Sequence, residues 1–151
     1  MRGEQIAPAA ALAAALLLAV PARADAPIAV KCQVPIRSEG RIRPAVCGLD
    51  PATGTPLWRF VRTKTINFAV ETTAGVLVGA DDGTLTLLDQ SSGKMKWTAR
   101  VPGALTRANG FNRETAEGFL VSDDQEVYWF VGKEGVLKWT CDPRSLKADV
   151  R

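Results

Sequence analysis

The side chains able to do chemistry are few. They are three cysteines (Cys32, Cys47 and Cys141), two adjacent carboxylate pairs (Asp81-Asp82 and Asp123-Asp124) and the serines Ser91, Ser92 and Ser122, and histidine is absent. Without histidine there is no Ser-His-Asp or Cys-His catalysis and no histidine-ligated zinc, and the commonest general base is missing. Three cysteines cannot supply a four-thiolate zinc site. The aspartate pairs have the composition of a two-carboxylate hydrolytic site or of hard oxygen ligands for calcium. They recur at equivalent hairpins, however, which favours turn chemistry, and the complete calcium-loop pattern is missing. The serines have no nearby base to activate them, and no glycine-rich phosphate loop occurs.

The elements that carry these residues follow from length and pattern. The chain has 151 residues, 46% of them hydrophobic and 23% charged, which suits one ordinary soluble domain. A formal charge of +3, from 19 basic and 16 acidic side chains, is too mild to indicate a nucleic-acid partner. Residues 1–26 have the three-part layout of a helical secretory signal peptide: Arg2, an apolar run from Ala9 to Val20, then Ala22-Arg23-Ala24 and Ala24-Asp25-Ala26 as overlapping cleavage options. An apolar run of that length rises about 18 Å as a helix, short of a bilayer core of about 30 Å. The expectation is export to the periplasm or beyond, with no membrane span after cleavage and with the cysteines in an oxidising compartment.

A repeat near forty residues dominates the remainder. Residues 49–58 read LDPATGTPLW and residues 88–97 read LDQSSGKMKW, so Asp50, Gly54 and Trp58 recur as Asp89, Gly93 and Trp97 at an offset of 39. A degenerate third copy places Gly135 and Trp139 at an offset of 42 from Gly93 and Trp97, with Val131 at the position of the turn aspartate. Within the repeat, short aliphatic runs alternate with Asp-Asp-Gly and Asp-x-x-x-Gly turns, in which Asp and Ser bond local backbone N–H groups and Gly supplies positive φ. Four strands are expected per unit, at about 67–72, 75–80, 84–89 and 94–101 in the best copy. Units of four strands at this period are the blades of a β-propeller.

LDPATGTPLWRF and VLVGADDGTLTLLDQSSGKMKWTARV resemble pyrroloquinoline-quinone (PQQ)-type propeller repeats. The resemblance implies an all-β fold, a partial β-propeller of two to three four-stranded antiparallel blades: a partial blade over 28–62, a blade over 67–101 and a blade over 106–141, followed by a polar tail at 142–151. It also implies a structural role for Asp50, Gly54, Trp58, Asp89, Gly93, Trp97, Gly135 and Trp139, the tryptophans packing between neighbouring blades. Trp129 lies outside that register, as a core filler or as an exposed contact. The quinoprotein dehydrogenases that share the repeat carry adjacent cysteines and an axial cofactor site drawn from most of a larger ring. No adjacent cysteines occur here. Other members of the wider group bind no quinone and act as scaffolds.

Cys32 and Cys47 lie in neighbouring apolar segments of the partial first blade, and a bond between them closes a short loop. That pairing is preferred, with Cys141 free or paired to another chain; the competing pairs join Cys141 to one of the other two. Residues 27–66 hold 7 basic and 2 acidic groups, whereas residues 113–141 hold 3 basic and 6 acidic groups. Opposite ends therefore carry opposite charge, and three blades fall short of the four to eight that close a ring. The reading reached is an exported, noncatalytic repeat module with no cofactor, acting as a binding or scaffold protein and completed by self-association or a partner. The alternative is a fragment or subunit related to PQQ-dependent dehydrogenases, needing another chain to bind quinone and calcium.

Overall fold

The computed structural model describes residues 25–105 and 110–146. The expected signal peptide, save Asp25 and Ala26, and the last five residues of the polar tail lie outside the described residues. Eleven strands form three antiparallel sheets there, each a meander of strands consecutive in sequence. The first sheet holds β1 (Ile28–Ile36), β2 (Arg41–Leu49) and β3 (Pro56–Val61). The second holds β4 (Ile66–Thr72), β5 (Gly75–Ala80), β6 (Thr84–Leu88) and β7 (Met95–Arg100). The third holds β8 (Phe111–Glu114), β9 (Gly118–Ser122), β10 (Tyr128–Gly132) and β11 (Leu137–Cys141). A short 3-10 turn at Pro143–Ser145 follows, capped by the Asp142 side chain, which accepts from the Arg144 N–H. The chain is all-β and built as propeller blades, the first with three strands and the other two with four.

Stacking of the sheets explains the apolar runs. Every residue of β5 is buried, because the second sheet is covered on both faces. Side chains alternate across a strand, so Val76 and Val78 join Val46, Ile66 and Leu88 against the first sheet. Leu77 points the other way, into a core with Leu85, Leu87, Phe119, Val121 and Val131 shared with the third sheet. A strand buried on both faces reads as a continuous apolar run rather than an alternating one. Val34, Ala45 and Cys47 form a third cluster on the far face of the first sheet. The Cys32–Cys47 disulfide lies there, with a Cα–Cα distance of 6.2 Å. It runs diagonally across β1 and β2, since Cys32 pairs with Ala45 and Cys47 with Val30.

The three sheets share one irregularity, a register shift at Gly48/Leu49, Leu87/Leu88 and Phe130/Val131. On one side of it Trp58, Trp97 and Trp139 pair with Gly48, Leu87 and Phe130; on the other, Leu49, Leu88 and Val131 pair with the residue two before each tryptophan. This common bulge corrects the alignment read from the sequence. Val131 takes the place of Leu88, not of Asp89, and Gly132 opens the third turn, which is one residue shorter. The backbone bonds that close the turns agree: Asp50 N to Thr55 O, Asp89 N to Lys94 O and Gly132 N to Val136 O, each 2.8 Å.

Candidate functional site

The repeat residues build the joints between blades. Asp50 Oδ1 accepts from Ala52 N at 2.8 Å. Asp89 Oδ1 accepts from Ser91 N and Ser92 N at 2.9 and 3.0 Å, and from the Ser91 hydroxyl at 2.6 Å. These bonds, the Ser91 hydroxyl foremost, hold the Asp89 carboxyl down at about 2, because hydrogen bonds to a carboxylate favour its charged form. Gly54, Gly93 and Gly135 follow at φ of +76°, +74° and +91°, a region costly for any residue with a Cβ.

The second and third turns present their glycines, Gly93 and Gly135, to the tryptophan of the preceding blade. The Trp58 indole lies between Gly48 of its own sheet and Gly93 of the next, where an added Cβ on Gly93 would come within 2.5 Å of the ring. Its Nε1 donates to the Gln90 carbonyl at 2.9 Å. Trp97 repeats the arrangement one blade on: a Cβ on Gly135 would lie 2.7 Å from its ring, and its Nε1 donates to the Lys133 carbonyl at 2.7 Å. Gln90 and Lys133 each follow the residue that opens their turn, so the two joints are equivalent. Side-chain bonds supplement them. Ala29 N donates to Glu71 at 2.9 Å. The Lys133 ammonium meets Glu114 at 2.5 Å, and Thr73 N donates to the same carboxylate at 3.2 Å. Burial works against the charge on Glu114, but the hydrogen bonds from Lys133 and Thr73 outweigh it and hold its pKa below the usual glutamate value.

Trp139 departs from the expectation that all three tryptophans pack between blades. It is 49% exposed and stacks on Phe130, ring centroids 5.0 Å apart and planes within 3°. The physical reason is that no turn from a further blade covers it among the described residues. Around it runs an open groove of about 480 Å³ lined by Asn112, Arg113, Leu120, Tyr128, Trp139 and Cys141. Cys141 is a free, half-buried thiol there. At the other end of the stack, Gly54 has nothing within 4 Å of where its Cβ would be. Of the eight repeat residues, Trp58 with Gly93 and Trp97 with Gly135 are thus brought together, whereas Gly54 and Trp139 meet no counterpart among the described residues.

One aspartate of each pair holds a hairpin. Asp82 Oδ1 accepts from Thr84 N at 3.0 Å. Asp123 is buried and accepts from Gln125 N, Val127 N and the Trp129 indole N–H at 2.9 to 3.0 Å. That bond draws Trp129, half-buried, against the core between the second and third sheets. Among the described residues no group of three or more His, Cys, Asp or Glu side chains is placed to hold a metal ion. No described helix is long and apolar enough to cross a membrane. Sequence reasoning missed the carbonyls of Gln90 and Lys133, which carry no sequence signal. It also missed Gly48, whose only signal is its spacing of ten residues from Trp58.

Comparison with known proteins agrees with this geometry. A family model described as outer membrane protein assembly factor BamB matches residues 43–151. Among solved structures, the chain is similar to BamB from Moraxella catarrhalis, with a TM-score of 0.54 and 11% sequence identity over 77% of this chain. The chain spans 37% of the length of that protein. No curated protein sequence matches significantly.

Proposed function

The chain belongs to the outer membrane protein assembly factor BamB family of PQQ-type repeats, and from that membership we propose that it is an exported, noncatalytic module that works by binding protein through its open blade faces. The observation that carries this reading is the uncovered face of the third blade, where Trp139 stacks on Phe130 beside an open groove. An exposed apolar surface rimmed by polar groups marks an interaction site. The carboxylates support the noncatalytic part: Asp82, Asp89, Asp123 and Asp142 spend their oxygens on neighbouring N–H groups, and Glu114 is bound by Lys133 and Thr73. Their chemistry is committed to turns and joints. The Cys32–Cys47 disulfide suits an oxidising compartment such as the periplasm. Assembly of outer membrane proteins, the work named for the family, is the process in which we place it.

The test is site-specific photo-crosslinking in cells from Val136, which is 56% exposed and three residues from Trp139. Discrete adducts of defined mass are expected from the envelope fraction. Recovery of the chain without adducts, or only from the cytoplasm, refutes the proposal.

A further inference from the structure

We propose that the occupant of the open third-blade face is the first blade of a second copy of this chain, seated through the same tryptophan-to-turn joint that the chain builds twice internally. The inference rests on the binding-module reading above and names the partner.

The register makes the two open faces explicit. In the second blade, Leu77, Leu87 and Trp97 lie across consecutive strands, since Leu77 pairs with Leu87 and Leu87 with Trp97, and all three pack into the core that the third blade covers. In the third blade, Leu120, Phe130 and Trp139 stand in the same three places. That row is therefore a donor face with its Trp in place and, among the described residues, no turn upon it. The acceptor face is defined in the same way. The second blade receives Trp58 with Val76, Val78, Leu88 and the Gly93 turn. In the first blade the corresponding positions, counted from the common bulge, are Ile28, Val30, Leu49 and the Gly54 turn. Ile28 is 46% exposed, and Val30 and Leu49 are half-buried on the far face of the sheet.

The two turns match in detail. Gly54 N bonds to Asp50 O at 2.7 Å and Gly93 N to Asp89 O at 2.8 Å, and their φ values differ by 2°. The Pro51 carbonyl corresponds to that of Gln90, the acceptor for Trp58. Gly54 thus offers the shape and the hydrogen-bond acceptor that an indole takes in this chain, in open space. Charge favours the same pairing: the first-blade end is basic, with 7 basic and 2 acidic groups over residues 27–66, and the third-blade end is acidic, with 3 basic and 6 acidic groups over residues 113–141. A head-to-tail contact between two copies forms the joint twice and gives six blades, within the range of closed propellers.

The experiment uses sedimentation velocity on the purified exported chain over a concentration series, with two variants that each disable one half of the joint. W139A removes the donor from an exposed position. G54N fills the acceptor with a residue that tolerates left-handed backbone. Wild type is expected to dimerise, and each variant alone to associate at least about tenfold more weakly, as for loss of an interface anchor. An equimolar mixture of the two variants retains one intact joint and is expected to recover heterodimer. Added salt is expected to weaken wild-type association. The inference is overturned by a wild type that stays monomeric, by variants that dimerise as wild type does, or by a mixture that forms no heterodimer. A monomeric wild type that still gives Val136 adducts with another protein in cells overturns the second copy and leaves the binding-module reading standing. Absence of both dimer and adduct overturns the two together.

Discussion

Two glycines with the same backbone and different surroundings give a direct measure of the blade joint. Gly54 and Gly93 sit at φ of +76° and +74°, so alanine at either bears the same left-handed penalty, about 1–2 kcal/mol, and the same reduction in unfolded-chain entropy, about 0.4–1 kcal/mol. These terms cancel in the comparison. At Gly93 the new methyl lies 2.5 Å from the Trp58 ring, whereas at Gly54 it meets nothing within 4 Å. The indole cannot retreat freely, because Gly48 holds its other side and its N–H is bound to the Gln90 carbonyl. Overpacking of this kind costs about 1–3 kcal/mol, so G93A is expected to be less stable than G54A by roughly that amount. With a urea dependence of about 2 kcal/mol per molar for a domain of this size, the midpoints separate by about 1 M. Urea unfolding followed by tryptophan fluorescence reads this difference. Both variants are made in a W139A background, which keeps Gly54 uncovered if copies associate. Equal midpoints for G54A and G93A would show that Trp58 does not occupy the Gly93 turn, and the joint as described would fall.

Acid provides a second measurement. A carboxylate whose folded pKa is depressed contributes stability that is fully present above the unfolded value, roughly 4, and is lost as pH falls through the folded value. For Asp89 that window runs down to about 2, so wild type is expected to lose stability from pH 4 downward. D89N, which removes the titrating group, should flatten part of that slope in urea midpoints taken across the range; an unchanged slope would show that the turn bonds of Asp89 are not made. The disulfide yields a third. Its partners are 15 residues apart, worth about 3 kcal/mol in the chain-entropy model, so the C32S/C47S double variant should melt well below wild type while C141S melts with it. Coincident melting of C32S/C47S and wild type would mean that the bond does not form in solution.

Much of the architecture was legible because the repeat encodes its own packing. Two Asp-x-x-x-Gly turns, a degenerate third and the tryptophan after each gave three blades, and the apolar run at 75–80 gave the strand found as β5, whose burial on both faces came only with the structure. The pairing of Cys32 with Cys47, preferred over the competing pairs with Cys141 because the two lie in neighbouring apolar segments, is the bond observed. What could not be read depends on contacts between residues that are distant in sequence and carry no type-specific signal. Trp58 and Trp139 look alike in the sequence, yet one is held by Gly48, Gly93 and a carbonyl 32 residues away and the other is half exposed. An offset of 42 aligns Gly135 and Trp139 correctly but puts Val131 at the turn aspartate, because the third turn is one residue shorter, and only the bulge at Phe130/Val131 sets the frame. Lys133 and Glu114 enter the sequence reading only within the charge of residues 113–141, although together with Thr73 they tie the third blade to the second.

A stack of blades is stabilised mainly by what lies between neighbours, so its members need not be equally stable. The second blade has a core on each face, while the first and third share only one apiece with a neighbour. The two outer blades compensate differently. The first has three strands, and its far face is crosslinked by Cys32–Cys47, which fixes β1 to β2 whether or not that face is covered. The third has four strands and no disulfide among the described residues; its polar ties to the second blade are the Trp97 joint and the bonds that Thr73 makes with Glu114 and Lys133. Its far face relies on the stacking of Trp139 upon Phe130, a contact that leaves half of the indole in water. Local opening is expected to begin where apolar contacts are fewest, which places it at β11 rather than at β1. A second copy seated on Trp139 would stabilise the blade that lacks a covalent tie, using as its docking surface the one that has it.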